Sequence, residues 1–180
     1  MKTTPLRNVE LRLISELMKN SRRSDRELAH AMGISQPTVS RLIKKLGQEG
    51  YIREYTMIPD FGKVGYKILA LTFVKLGKGV NEEDIEKARK IAQESLKKGP
   101  FEIVMLERGM GLESNGVIVS YHEDYSSYAR LRNWLRQFNF LEIDKMDSYL
   151  IDLEDKVHYR PLTLSTLANH VLTLSKEEKK

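Results

Sequence analysis

Residues 24–52, SDRELAHAMGISQPTVSRLIKKLGQEGYI, leave the chain few local choices. Ser24 and Glu27 have the S-x-x-E spacing of a capping box, which predicts a helix starting at Asp25. Leu28, Ala29 and Met32 repeat at helical spacing and form its inner side. Gly33 supplies a turn, because glycine accepts a positive φ at little cost. Ser35 then caps a second helix, with Pro37 in the first turn, where no backbone N–H is needed. Ile34 and Val39 occupy the two positions of a hydrophobic staple around that cap. Two helices joined by a tight turn are the expected result.

In the second helix Val39, Leu42, Ile43 and Leu46 make the inner stripe. Gln36, Thr38, Ser40, Arg41, Lys44 and Lys45 remain outside, and no Asp or Glu occurs between Ile34 and Gln48. An amide- and hydroxyl-bearing start followed by cations suits base edges and phosphates. A solvated basic helix in an ordinary three-helix bundle would share that charge. The tight turn, the double caps and the sequel Gly50-Tyr51-Ile52 favour a helix-turn-helix that reads double-stranded DNA. Arg22 and Arg23, in the connection before it, are further candidates for the phosphate backbone; plain solubility is their other reading.

Charge supports this division of labour. Residues 1–60 carry 11 basic and 7 acidic side chains, residues 61–155 carry 14 and 16, and residues 156–180 carry 5 and 2. The basic excess of the first third is that of a phosphate-binding module. The 180 residues suffice for one large or two small domains, and 41% hydrophobic content permits real cores. With no cysteine, disulfides and thiolate metal sites are excluded, in keeping with a reducing cytoplasm. Met1 to Leu13 has no continuous apolar run, so no signal peptide is expected. The apolar run Ile68 to Val74 is far short of the ~20 residues of a membrane helix, so no membrane partner is expected.

Taken in order, Thr4-Pro5 opens a first helix with Leu13, Ile14, Leu17 and Met18 inward. Ile52 to Ile58 alternates loosely and reads as one or two strands, a small wing. Pro59-Asp60-Phe61-Gly62 and Gly65 mark a connection. Strands follow at Lys67–Leu76, Phe101–Arg108, Gly116–Tyr121 and Lys145–Leu153. A helix capped by Asn81, with Ile85, Ala88, Ala92 and Leu96 inward, lies between the first two. A second, Tyr125–Phe138, has Tyr128, Leu131, Leu135 and Phe138 inward. The order β-α-β-β-α-β is the ferredoxin-like split βαβ plan. Strands apolar on both faces imply that the sheet face away from the helices meets a second subunit. The fold class is thus α+β: a winged helix-turn-helix over 1–60, a ferredoxin-like sensing and dimerisation domain over 61–155, and an extension over 156–180. In that extension Leu162 to Leu174 can form one more helix, and Lys176 to Lys180 frays.

These motifs resemble the leucine-responsive regulatory protein/AsnC, or feast/famine, family of transcription regulators. The likeness runs from Leu6 to about Asp155. It is carried by Leu13-Ile14…Leu17, Arg23-Ser24…Glu27-Leu28-Ala29, Gly33-Ile34-Ser35, Val39…Leu46 and Gly50-Tyr51-Ile52. The resemblance implies a DNA-binding homo-dimer, often assembled to an octamer, with amino acids or related metabolites as effectors between dimers. The family's usual Gly-x-x-Asp loop maps to Leu112 and Asn115, with Gly111 one position off. Effector candidates in the stretch 109–116 are therefore Gly109, Gly111, Glu113 and Asn115. The missing carboxylate speaks against a plain amino acid as effector.

No cofactor is implied. His30, His122, His158 and His170 lack metal-ligand spacing, and no G-x-S-x-G, P-loop or dinucleotide fingerprint is present. The alternative class is an enzyme. Sirohaem decarboxylases resemble the same two-domain build, and Tyr121 and His122 would be its acid/base candidates. The acid-free face of the second helix argues against that alternative.

Overall fold

The computed structural model describes residues 6–77, 81–100, 102–137, 143–157 and 159–174; the side chains of Ala88 and Ser95 are not among what it describes. The expectations for Thr4-Pro5, Ala88, Phe138, His158 and Lys176 to Lys180 therefore lie outside the described residues. The chain forms two compact units. One comprises the residues up to Ile58 together with those from Tyr159 on; the other runs between them.

The first unit is built on three helices, α1 (Asn8–Lys19), α2 (Asp25–Met32) and α3 (Gln36–Gln48). Their cluster contains Leu13 and Leu17 of α1, Leu28, Ala29 and Met32 of α2, and Val39, Leu42 and Leu46 of α3. Ile34, Ile43, Tyr51 and Ile52 pack around it. The capping box at α2 forms as expected: Glu27 N donates to Ser24 Oγ (3.3 Å) and Ser24 N to Glu27 Oε2 (2.7 Å). Gly33 ends α2 in the left-handed region at φ 67. Ser35 stands at the N-cap of α3, but its hydroxyl pairs with Thr38 Oγ1 at 2.8 Å instead of a backbone N–H.

Two expectations for this unit need correction. Residues 52–58 form no strand. Their alternation is real, but no turn residue lies between Ile52 and Ile58, so the segment cannot fold back on itself to pair. In the segment after Pro161 the helix is only α6 (Leu167–Val171). It packs against α1, within the first unit. Leu11 and Ser15 lie on the side of α1 opposite Leu13 and are buried (8% and 1% exposed), outside the α2/α3 cluster. Ala168 of α6 is fully buried. Small residues at Ser15 and Ala168 suit close approach of the two helices.

The second unit has strands β1 (Ile68–Leu76), β2 (Ile103–Gly111), β3 (Ser114–His122) and β4 (Ile143–Asp152), with α4 (Glu82–Leu96) and α5 (Tyr125–Leu135). The strands form one antiparallel sheet in the order β2-β3-β1-β4, the ferredoxin-like arrangement. Ala70, Thr72, Ile118, Ser120 and His122 are buried on one face, where Leu131 and Leu135 of α5 pack on Ile118. Leu69, Leu71 and Phe73 of β1 alternate to the other face, in register with Tyr121, Val119 and Val117. Among the described residues of this unit no helix covers that face, and Leu69, Leu71 and Phe73 are only half-buried. Phe61 stacks on Tyr121 there at 3.9 Å between centroids.

Asn81 caps α4 as expected, accepting from Asp84 N at 3.0 Å. The glycine-rich loop expected between the second and third strands is a correction. β2 and β3 continue to a two-residue turn at Leu112 and Glu113, both with positive φ (51 and 55). Such a turn matches the strand twist, but it ordinarily uses Asn-Gly or Asp-Gly. That is why the sequence pattern hid it.

Candidate nucleic-acid interface

The outer face of α3 is divided by what its neighbours do. Gln36, Arg41 and Lys44 are exposed. Arg41 turns back along its own helix, its Nε 3.3 Å from Pro37 O and one terminal nitrogen 3.5 Å from Thr38 Oγ1. Among the described residues neither Arg41 nor Lys44 has an ion pair. Both cations remain available to an anion. Thr38 is half-buried and tied to Ser35, and Ser40 donates to Asp25 Oδ2 at the start of α2.

Lys45 is placed otherwise. Its Nζ donates to Glu10 Oε1 at 2.8 Å and lies 3.8 Å from Glu49 Oε1. Glu10 is 1% exposed and also accepts from Arg7 N and the Arg7 guanidinium, each at 2.8 Å. These hydrogen bonds, from Arg7 first and then Lys45, lower the Glu10 pKa to about 2. Lys45 in turn is raised by its bond to Glu10. The side chain read as a phosphate contact is thus anchored to α1. Arg23 is similarly engaged by Glu16, which Lys19 also reaches at 2.6 Å, whereas Arg22 is exposed.

Three residues of this surface escaped the sequence reading. Glu10 and Asp25 come from other helices and supply the acids that α3 lacks. Tyr55 lies near Asp25; burial first, and then that carboxylate, raise its phenol pKa. No spacing rule connects residues this far apart, so only tertiary packing could reveal them.

The effector candidates gather at the tip of the β2–β3 hairpin. Gly109 and Gly111 lie in β2, Glu113 in the turn and Asn115 in β3. Asn115 Oδ1 accepts from Leu76 N at 2.8 Å and so holds the end of β1. A cleft of about 680 Å³ runs between α4 and the sheet, with Ile85, Leu96, Ile103 and Leu135 in its walls. Tyr121 and His122, the acid/base candidates, are buried (4% and 0% exposed). His122 sits between Ser120 Oγ (2.8 Å) and Ser127 Oγ (3.3 Å), and burial lowers its pKa. Among the described residues no three His, Asp or Glu side chains form a metal-binding group. None of the described helices is long and apolar enough to cross a membrane.

Comparison with known proteins agrees with this geometry. Residues 6–53 match the winged helix-turn-helix DNA-binding family model HTH_24. An HTH-type transcriptional regulator of Pyrococcus abyssi, PYRAB00690, is 41% identical over 71 residues, 39% of this chain and 47% of that protein. LrpC of Bacillus subtilis, an HTH-type transcriptional regulator, is 36% identical over 63 residues, 35% of this chain and 44% of LrpC. The chain thus spans about half the length of these curated relatives. The solved regulator NMB0573 of Neisseria meningitidis, in complex with L-Met, superposes with a TM-score of 0.70 at 18% identity, over 93% of this chain and 99% of that one. Structures of AsnC-family regulators share the same fold. The N-terminal part of the chain is thus similar to winged helix-turn-helix DNA-binding domains, and the chain has the fold of solved Lrp/AsnC regulators.

Proposed function

We propose that this chain is a sequence-specific DNA-binding transcription regulator. It works in the cytoplasm as at least a dimer. The carrying observation is the surface of α3: Gln36, Arg41 and Lys44 are exposed together, and among the described residues neither cation has a carboxylate partner. Arg41 is the base-reading side chain; Lys44 and Arg22 contact phosphates. Two such helices, about 34 Å apart, enter successive major grooves of a pseudo-palindrome. The uncovered sheet face with Leu69, Leu71 and Phe73 is the dimer contact. Selection of bound duplexes from a random pool tests the reading. Wild type should enrich one inverted-repeat motif, and Arg41→Ala should lose preference at one base, weakening binding by about 1–3 kcal/mol. No enriched motif with wild type overturns the proposal.

The hairpin tip supports a second element of the reading. Asn115 is engaged by β1, so Glu113 is the one carboxylate among the four effector candidates. We infer that plain amino acids bind weakly and that another metabolite, or none, controls the protein. Micromolar binding of any of the twenty amino acids, seen by calorimetry and retained in Glu113→Gln, would contradict this.

A further inference from the structure

The start of α2 modifies the chemistry of α3. Ser40 is exposed, and its hydroxyl donates to Asp25 Oδ2 across the turn between the helices. The Gln36 carbonyl oxygen lies 3.2 Å from the same hydroxyl oxygen and is a second acceptor. A serine has one hydrogen to donate and two lone pairs. Free serines read base edges of either polarity. Here the single hydrogen is used within the protein, toward an acceptor on one side and a second acceptor on the other. What Ser40 presents outward is a lone pair.

We propose that Asp25 is a specificity-determining residue: by holding the Ser40 hydrogen it makes Ser40 an acceptor-only reader. At one position of each half-site, α3 then selects a base whose major-groove edge carries an amine, adenine N6 or cytosine N4. Guanine and thymine present acceptors at the corresponding edge and are rejected. The Asp25 carboxylate favours the same amines and disfavours phosphate, so the start of α2 is not a backbone clamp. This inference rests on the DNA-binding reading, and in particular on α3 entering the major groove.

Selection from a random duplex pool with the full-length protein decides it. Wild type should favour A or C over G or T by about fivefold or more at one position of each half-site. Asp25→Ala, which leaves the Ser40 hydrogen only the longer contact to the Gln36 carbonyl, should weaken the preference at that position and leave the others unchanged. Asp25→Asn should restore the preference, since its amide oxygen accepts the same hydrogen. Ser40→Ala should flatten the same position, which serves as the second variant if Asp25→Ala folds poorly. An Asp25→Ala motif identical to wild type overturns the inference while leaving DNA binding intact. So does an amine preference that survives Ser40→Ala. A wild-type protein that enriches no motif overturns the DNA reading itself.

Discussion

A carboxylate as enclosed as Glu10 would be costly to bury alone. Hydrogen bonds from Arg7 and Lys45 offset that cost and hold its pKa down at about 2. The folded-state value lies below the usual 4.5, so the stabilisation is fully present above about pH 4.5 and is lost as pH falls through about 2. Glu10→Gln should therefore cost on the order of 3 kcal/mol at pH 7, and the deficit should shrink toward zero near pH 2 in denaturant titrations. A deficit independent of pH would assign the loss to shape and not to charge. Ser15 tests the opposite face of α1. Its hydroxyl is buried with no hydrogen-bond partner among the described residues. Ser15→Ala removes that unsatisfied group and adds helix propensity, so thermal unfolding should show a gain of about 1 kcal/mol. A loss would reveal a bridging water that the hydroxyl needs.

At the scale of elements, α3 carries two kinds of lysine. Lys44→Ala should lower DNA affinity for all sequences and flatten the salt slope by about one unit. Lys45→Ala should act chiefly on stability, since it leaves Glu10 without one of its two cations. Equal salt slopes for the two variants would return Lys45 to the phosphate backbone. The contrast shows what the sequence could carry. Ser24 and Glu27 act three positions apart and Gly33 acts on its own backbone, so their roles were legible, and so was the acid-free run of α3. Lys45 and Glu10 are 35 positions apart, and the pair depends on how α1 crosses α3. The hairpin turn was illegible for a different reason: Leu112 and Glu113 adopt positive φ without the residue types that announce it. The segment 52–58 was misread because alternation marks a strand's faces but cannot supply its partner.

At the scale of the molecule, the sheet of the second unit has one face under helices and one that none of this unit's described helices covers. A substitution such as Leu71→Glu adds a charge to the uncovered face and should leave the helix-side core intact. Wild type should run as a dimer or larger in light scattering at micromolar concentration, and the full-length variant as a monomer. If Leu71→Glu assembles like wild type, the contact lies elsewhere. The return of the chain to α1 has a consequence in time. Synthesis proceeds from the N-terminus, and domains ordinarily fold as they emerge. Here α1, α2 and α3 are made first, but the Leu11–Ser15 side of α1 stays uncovered until α6 has left the ribosome. The first unit is thus completed last, after the whole sheet unit has been made, and a nascent chain interrupted before Leu167 leaves Leu11 and Ser15 of α1 uncovered.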